Sequence, residues 1–256
     1  MPSLERPDGC RLQYLLQGRP ERPPLVLLEG MGGDLHGWRR NVPRLARRCR
    51  VVAHDFRGNG ESRCPAADWT MTMFVDDTLG LLDHLGIDRA HLYGQSFGGM
   101  VAMEIALGHP ERVRSLVLAA THGGLDRAVP SEEKAPKGRP WELLYSPGFP
   151  DRHPEQVLED MRGGIEQEAD ARAAQWRVIQ GWSAHDRLGD IAAPTLILHG
   201  TADRMIHPEN ARLLAAGIPG ARLHLLEGAG HVYHAEQPEG ADGAVLRFVE
   251  EVERGS

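Results

Sequence analysis

The chain has 256 residues, 41% hydrophobic and 25% charged, with 29 basic against 36 acidic residues for a formal charge of −7. That length fits one domain around one core, and an acidic balance without a basic stripe excludes nucleic acid as a partner. No run approaches the roughly 20 apolar residues of a membrane span and the amino terminus lacks a signal peptide's apolar stretch, so the chain is expected in the cytoplasm and off the membrane.

In chain order, the first expected element is an antiparallel edge strand from Cys10 to Gly18, with too little sequence before it to promise another. Continuously apolar runs bounded by turn formers follow at Pro24 to Gly30, Arg50 to Asp55, His91 to Ser96, Ser115 to Ala120 and Thr195 to Gly200, and a more mixed run at Ala221 to Gly228. Such runs are the signature of strands buried on both faces of a parallel sheet. Between them, Trp38 to Arg47, Thr72 to Leu85 and Phe97 to Leu107 read as helices, the second carrying Asp76, Asp77 and Asp83 as solvated charges. Alternation of strand and helix predicts an α/β fold with a mostly parallel sheet flanked by helices.

The alternation breaks after Ala120. Proline and glycine clusters at Ala135 to Pro140 and Ser146 to Pro154 interrupt the chain, and Glu155 to Ser183 looks largely helical. This predicts a small helical cap, residues 122–187, inserted between two core segments, 1–121 and 188–256. The chain then closes on an amphipathic helix from Pro238 to Glu253, with Ala241, Ala244, Val245, Phe248, Val249 and Val252 on one face.

The third buried run ends in Gly94-Gln95-Ser96-Phe97-Gly98, a GxSxG pattern. Alone the pattern is weak, but here it lies where a buried strand ends and an apolar helix begins, the setting of a sharp turn that presents a serine hydroxyl. A serine hydroxyl needs a base to take its proton and a third group to orient that base. Later strand ends supply both, Asp203 after Thr195 to Gly200 and His231 after Ala221 to Gly228. Among 13 histidines only loop position singles out His231; His234 is the nearest rival. A His231/His234 pair has no accompanying set of metal-ligand spacing, so no metal is expected. The three cysteines, Cys10, Cys49 and Cys64, are odd in number and lack CxxC spacing, which predicts neither a disulfide framework nor a zinc site.

On these residues the chain resembles the α/β-hydrolase fold superfamily, and among its members the small capped serine esterases and lactonases. Asp55-Phe56-Arg57-Gly58-Asn59-Gly60-Glu61-Ser62 is similar to that superfamily's turn after the preceding strand, and His109-Pro110-Glu111-Arg112-Val113 to its link after the elbow helix. Gly228-Ala229-Gly230-His231, followed by Glu236-Gln237-Pro238-Glu239, resembles its histidine loop. The resemblance implies a Ser96, His231, Asp203 triad without a cofactor, and an oxyanion hole made by the backbone N–H groups of Met31 and Phe97. It also exposes a departure, because Glu29-Gly30 stands where relatives usually carry His-Gly. A carboxylate there opposes the charge to be stabilised unless it is protonated, turned away or paired with an arginine such as Arg57. The second or third is expected, with Glu29 bracing the oxyanion loop.

The cap segment holds Trp141, Tyr145, Phe149, Trp176 and Trp182, three of the chain's five tryptophans. Three of these rings are expected to bind the cap to the core and the others to line an apolar acyl or alcohol pocket, with Trp141, Tyr145, Trp176 and Trp182 as candidates. The expected reaction is hydrolysis of a carboxylic ester or lactone of a small to medium, largely apolar molecule. The alternatives that the resemblance implies are hydrolysis of a carbon–carbon bond, a methyl esterase or cyclase of a natural-product pathway, and a slow-turnover ligand receptor or scaffold. Oligomeric state, monomer or homodimer, is not legible.

Overall fold

The computed structural model describes residues 1–65, 68–131, 133, 134, 137 and 139–255. Eight strands form one sheet: β1 (Ser3–Glu5), β2 (Arg11–Gln17), β3 (Pro24–Leu28), β4 (Arg50–His54), β5 (Ala90–Gln95), β6 (Val113–Ala119), β7 (Thr195–Gly200) and β8 (Arg222–Leu226). Their order is β1-β2-β4-β3-β5-β6-β7-β8; β1 and β2 pair antiparallel, β2 and β4 likewise, and every other pair is parallel. The expected strand from Cys10 is therefore one in from the edge, because Ser3–Glu5 pairs with Arg11–Gln13 beyond it. The chain leaves β3 toward β4 on one side and returns to β5 on the other. This reversal opens a crevice at the carboxyl ends of β3 and β5, the place where open α/β sheets bind ligands.

Apolar residues on both strand faces force helices onto both faces of the sheet. One layer packs Phe74, Leu81 and Leu82 of α2 (Met71–His84) and Met100, Val101 and Ile105 of α3 (Phe97–Gly108) onto Val26, Leu28 and Leu92. The other packs Leu45 of the short α1 (Val42–Leu45), Trp38, and Val245, Phe248 and Val249 of the closing helix onto Leu25, Leu27, Val51 and Val117. The expected helix from Trp38 to Arg47 is broken into a 3-10 turn, Leu35–Trp38, and α1. Residues 39–41 part them; the Asn41 side chain donates to His234 O and Asp242 Oδ1, tying this segment to the end of the chain.

Between β6 and β7 lie α4 (Phe149–Arg152), α5 (Pro154–Gly163) and α6 (Ala169–Gln180), with 3-10 turns at Pro140–Leu144 and His185–Asp190. Ala135, Pro136 and Gly138 of the expected break lie outside the described residues. After β7 come α7 (Glu209–Gly217), β8, a single turn α8 (Tyr233–Glu236) and α9 (Pro238–Gly255), whose Ala241, Ala244, Val245, Phe248 and Val249 are buried as its pattern predicts.

Two expectations fail for one reason: residues far apart in sequence meet. Cys10 and Cys64 are joined in a disulfide, leaving Cys49 as the buried thiol. Reciprocal backbone hydrogen bonds between Arg11 and Arg63, 2.8 and 2.9 Å, bring the two cysteines side by side, and no spacing rule reveals such a bridge. Asp77 is not solvated but 1% exposed, and it accepts from Arg57 Nε at 2.8 Å and Nη2 at 2.9 Å; Asp76 and Asp83 are exposed as expected. Removing one partner of a buried pair strands the other charge, which costs about 3–5 kcal/mol. Asp77→Ala is accordingly expected to lose about that much stability in urea unfolding, and an unchanged midpoint would assign the pair no net role.

Candidate active site

The turn from β5 into α3 is built by glycines flanking Ser96. A Cβ on Gly94 would lie 2.2 Å from Gly98 O and one on Gly98 2.1 Å from Leu28 O, so helix, strand and β3 approach closer than any side chain allows. Ser96 itself sits at φ 53°, ψ −116°, outside the regions L-residues favour. Such strain costs of order 1–3 kcal/mol and persists only where neighbours over-determine it. Here Ser96 N–H donates to Ala119 O at 2.8 Å, and its carbonyl accepts from Thr121 Oγ1 at 2.7 Å and Gly99 N at 2.9 Å. The result is a half-buried serine at the crevice, ahead of the first turn of α3.

His231 and Asp203 come from the loops after β8 and β7, and adjacency of those strands brings them together: His231 Nδ1 lies 2.9 Å from Asp203 Oδ2, both side chains buried. Asp203 Oδ1 accepts from Met205 N at 2.8 Å and Ile206 N at 2.9 Å. Burial alone would raise the Asp203 carboxyl, but the His231 charge and hydrogen bonds from His199 and His231 overcome it and hold the group well below the usual carboxylate range. Asp203 is thus ionised at any working pH and fixes the imidazole's proton on Nδ1, leaving Nε2 as an acceptor. Ser96 is joined to this pair through its neighbour, Gln95 Nε2 donating to His231 O at 3.4 Å; no hydrogen bond links the Ser96 hydroxyl to the imidazole among the described residues. Such bonds are often long in free sites and tighten on substrate.

Two histidines that sequence reasoning missed belong to this setting. His199, wholly buried near the end of β7, places Nε2 3.1 Å from Asp203 Oδ2 and 3.0 Å from Ile206 O; its position four residues before the acid was the available signal. His122 follows Thr121, and its Nδ1 accepts from Gly124 N–H at 3.1 Å. Burial, then the charge of His185, keep its pKa down at about 4, with His231 close enough to add to the effect. A neutral ring accepting at Nδ1 carries its proton on Nε2. His234, the rival base, is instead buried against Trp38, ring centroids 4.8 Å apart, and burial lowers it to about 3.

The loop after β3 forms a second wall. Gly33 N–H donates to Gly30 O at 3.1 Å and Gly32 has φ +75°, which makes Gly30 to Gly33 a turn with glycine where a left-handed residue is required. In such a turn the N–H of the second residue, Met31, is not used by the turn itself. Phe97 opens α3, where N–H groups also lack intrahelical acceptors. Asn59 Nδ2 donates to Gly33 O at 2.5 Å, while its Oδ1 accepts from Gln167 at 2.8 Å and Gln175 at 2.7 Å. Asp34 Oδ2 accepts from Ile165 N at 2.7 Å. The segment between β6 and β7 is therefore hydrogen-bonded to the Gly30–Gly33 turn by buried amides. Arg57, the expected partner of Glu29, is engaged instead by Asp77 and, at 3.1 Å, by Asp8. Glu29 folds back onto its own loop, Oε1 accepting from Gly30 N at 3.1 Å.

Of the rings between β6 and β7, Tyr145 and Phe149 stack at 5.5 Å and are buried, with Tyr145 OH donating to Asp160 at 3.0 Å. Trp182 is buried in the core and donates from Nε1 to Glu104 Oε2 on α3 at 2.8 Å. Trp182 thus ties this segment to the core, whereas Tyr145 and Phe149 pack within it; neither Tyr145 nor Trp182 lines the cavity beside Met31. Trp141 packs edge-on against Tyr145, 6.5 Å between centroids. Trp176, 43% exposed, lines an open cavity of about 570 Å³ together with Met31, Gln167, Ala173 and Arg172. Among the described residues no group of His, Cys, Asp and Glu is arranged to hold a metal ion, and no helix is long and apolar enough to cross a membrane.

Residues 23–238 match the alpha/beta hydrolase fold family. A hydrolase of known structure from Pseudomonas aeruginosa PA01 is 33% identical, covers 97% of both chains and superposes with a TM-score of 0.86. The enol-lactonase from Burkholderia xenovorans LB400 is 26% identical over 97% of this chain and 100% of its own, with a TM-score of 0.87. A 2-hydroxymuconate semialdehyde hydrolase of Pseudomonas sp. strain CF600 is 31% identical over 233 residues, 81% of this chain and 80% of its own.

Proposed function

The chain belongs to the alpha/beta hydrolase fold family, and from that premise we propose that it is a serine hydrolase of carboxylic esters or lactones, with a cap formed by residues 122–187. The observation that carries this reading is the buried Asp203–His231 pair on the two strand-end loops of the sheet edge whose crevice holds the strained Ser96 turn.

In the proposed reaction Ser96 Oγ attacks the carbonyl carbon while His231 Nε2 takes its proton, and the carbonyl oxygen becomes an oxyanion facing the N–H groups of Met31 and Phe97. One fixed donor of this kind is worth roughly 3–4 kcal/mol. The tetrahedral centre collapses as His231 returns the proton to the departing alkoxide, leaving an ester on Ser96. Water, deprotonated by the same nitrogen, then adds to the acyl carbon, and the second tetrahedral centre breaks its bond to Oγ as His231 returns the proton there, releasing the acid. Trp176 beside Met31 is proposed to contact the apolar part of a small-molecule substrate, and Trp141 to border it from the cap.

The likeness to the 2-hydroxymuconate semialdehyde hydrolase favours one second reading, cleavage of a carbon–carbon bond. The same serine, base and donors serve either bond, so fold and site do not separate them. Steady-state turnover of a panel of p-nitrophenyl esters, lactones and vinylogous diketones decides the matter. Multiple turnovers on esters or lactones with none on diketones is the expected outcome, and the reverse would establish the second reading. Fluorophosphonate labelling at Ser96 without multiple turnover on any of them would make the protein a receptor.

A further inference from the structure

We propose that Glu29 is a positioning residue that works only as the neutral acid: uncharged, it leaves the Gly30–Gly33 turn, and with it the Met31 N–H, in place, and its ionisation ends activity on the alkaline side. The inference rests on the oxyanion hole proposed above.

The geometry points to a neutral acid in three ways. First, the carboxyl fills a slot left by glycines: a Cβ on Gly33 would meet Glu29 Cγ at 2.4 Å and one on Gly37 would meet Oε2 at 2.8 Å. Second, only Oε1 is used, by Gly30 N–H at 3.1 Å, whereas Oε2 is buried without a partner in a residue 8% exposed. A carboxylate demands donors on both oxygens, and leaving one stranded away from water carries a large penalty. Third, nothing cationic among the described residues pairs with it. The groups that face it are Asp34 on its own loop, Asp55 after β4, Tyr93 on β5 and Tyr233 on α8, all acids or phenols.

Burial, reinforced by Asp34 and Asp55 and only partly offset by the Gly30 N–H, raises Glu29 to about 8. Asp55 is itself raised to about 6, by burial first, so it is already charged when Glu29 begins to ionise. Loss of the Glu29 proton then sets like charges together inside one loop. The repulsion acts on the turn that carries Met31, and the new charge sits beside the place where an oxyanion must form. The linkage has a fixed sign: the folded protein keeps a proton that the unfolded chain releases above its ordinary value, so this group's contribution makes stability fall as pH rises toward about 8.

The test measures kcat/KM for p-nitrophenyl butyrate from about pH 6 to pH 10 for the native protein and Glu29→Gln, each profile scaled to its own neutral value. The native profile is expected to break near 8 and fall about tenfold per pH unit above it, and the variant to show no such break. A native profile level to about pH 10, or the same break in the variant, overturns the proposal. If Glu29→Gln does not fold, Glu29→His, also neutral in alkali, replaces it. If the native protein neither turns over ester nor takes a fluorophosphonate, the functional reading fails by itself. Thermal unfolding then decides the inference: the native Tm should drop relative to the variant's between about pH 5 and pH 8, and parallel curves refute it.

Discussion

Ser96→Ala is expected to lower kcat/KM for an activated ester by about 10⁶-fold, the loss seen when a triad nucleophile is removed, and to abolish fluorophosphonate labelling. The size follows from the chemistry of the step. Without Oγ no acyl-enzyme forms, and any residual rate comes from water attacking a carbonyl held at the proposed donors, Met31 and Phe97. Binding should survive, so KM or the Kd of a product acid changes little while kcat collapses. The fold should survive too, since Ser96 is fixed by its backbone, through Ala119 O, Thr121 Oγ1 and Gly99 N, rather than by its hydroxyl. A variant that stays labelled, or retains more than about a thousandth of native turnover, would place the nucleophile elsewhere.

Asp203→Asn is expected to cost about 10⁴-fold in kcat with little effect on KM. The direction is set by the backbone. Met205 and Ile206 donate to Oδ1, so an asparagine keeps its carbonyl oxygen there and turns its amide nitrogen to the place of Oδ2, 2.9 Å from His231 Nδ1. A donor at that place forces Nδ1 to accept, the ring proton moves to Nε2, and the imidazole can no longer take a proton from serine. His199 approaches the same oxygen at 3.1 Å without touching the imidazole. His199→Ala should therefore cost far less, about tenfold, as typical of a support behind a reacting group. Equal losses in the two variants would refute the division of roles. Because Asp203 is held below the ordinary carboxylate range, the stability it contributes is present at neutral pH and disappears only as pH falls through its lowered value.

The α/β class, the six parallel strands and the closing helix were legible because burial on two faces, alternation and amphipathic spacing are written in local residue order. The candidates Ser96, Asp203 and His231 were picked out for a related reason: each sits where an apolar run stops and glycine begins. The terminal strand Ser3–Glu5 was not, being three residues long and lacking an apolar pattern. Asp77 looked like any exposed helical acid until Arg57, twenty residues upstream, was seen to reach it. His199 read as strand filling, since a buried histidine differs from a buried valine only through what it touches.

By itself, then, the amino-acid order determined the fold family and the three residues of the candidate triad, because strand ends and their loops are local features with a fixed sequence of appearance. The tertiary structure alone decided partners. It bonded Cys10 to Cys64 where the start of β2 pairs with Arg63, tied Trp182 to Glu104, set a second histidine on Asp203, and gave Arg57 to Asp77 instead of Glu29. Each of these depends on distance and burial between segments remote in sequence. Whether a carboxyl such as Glu29 is an anion or an acid follows from those alone.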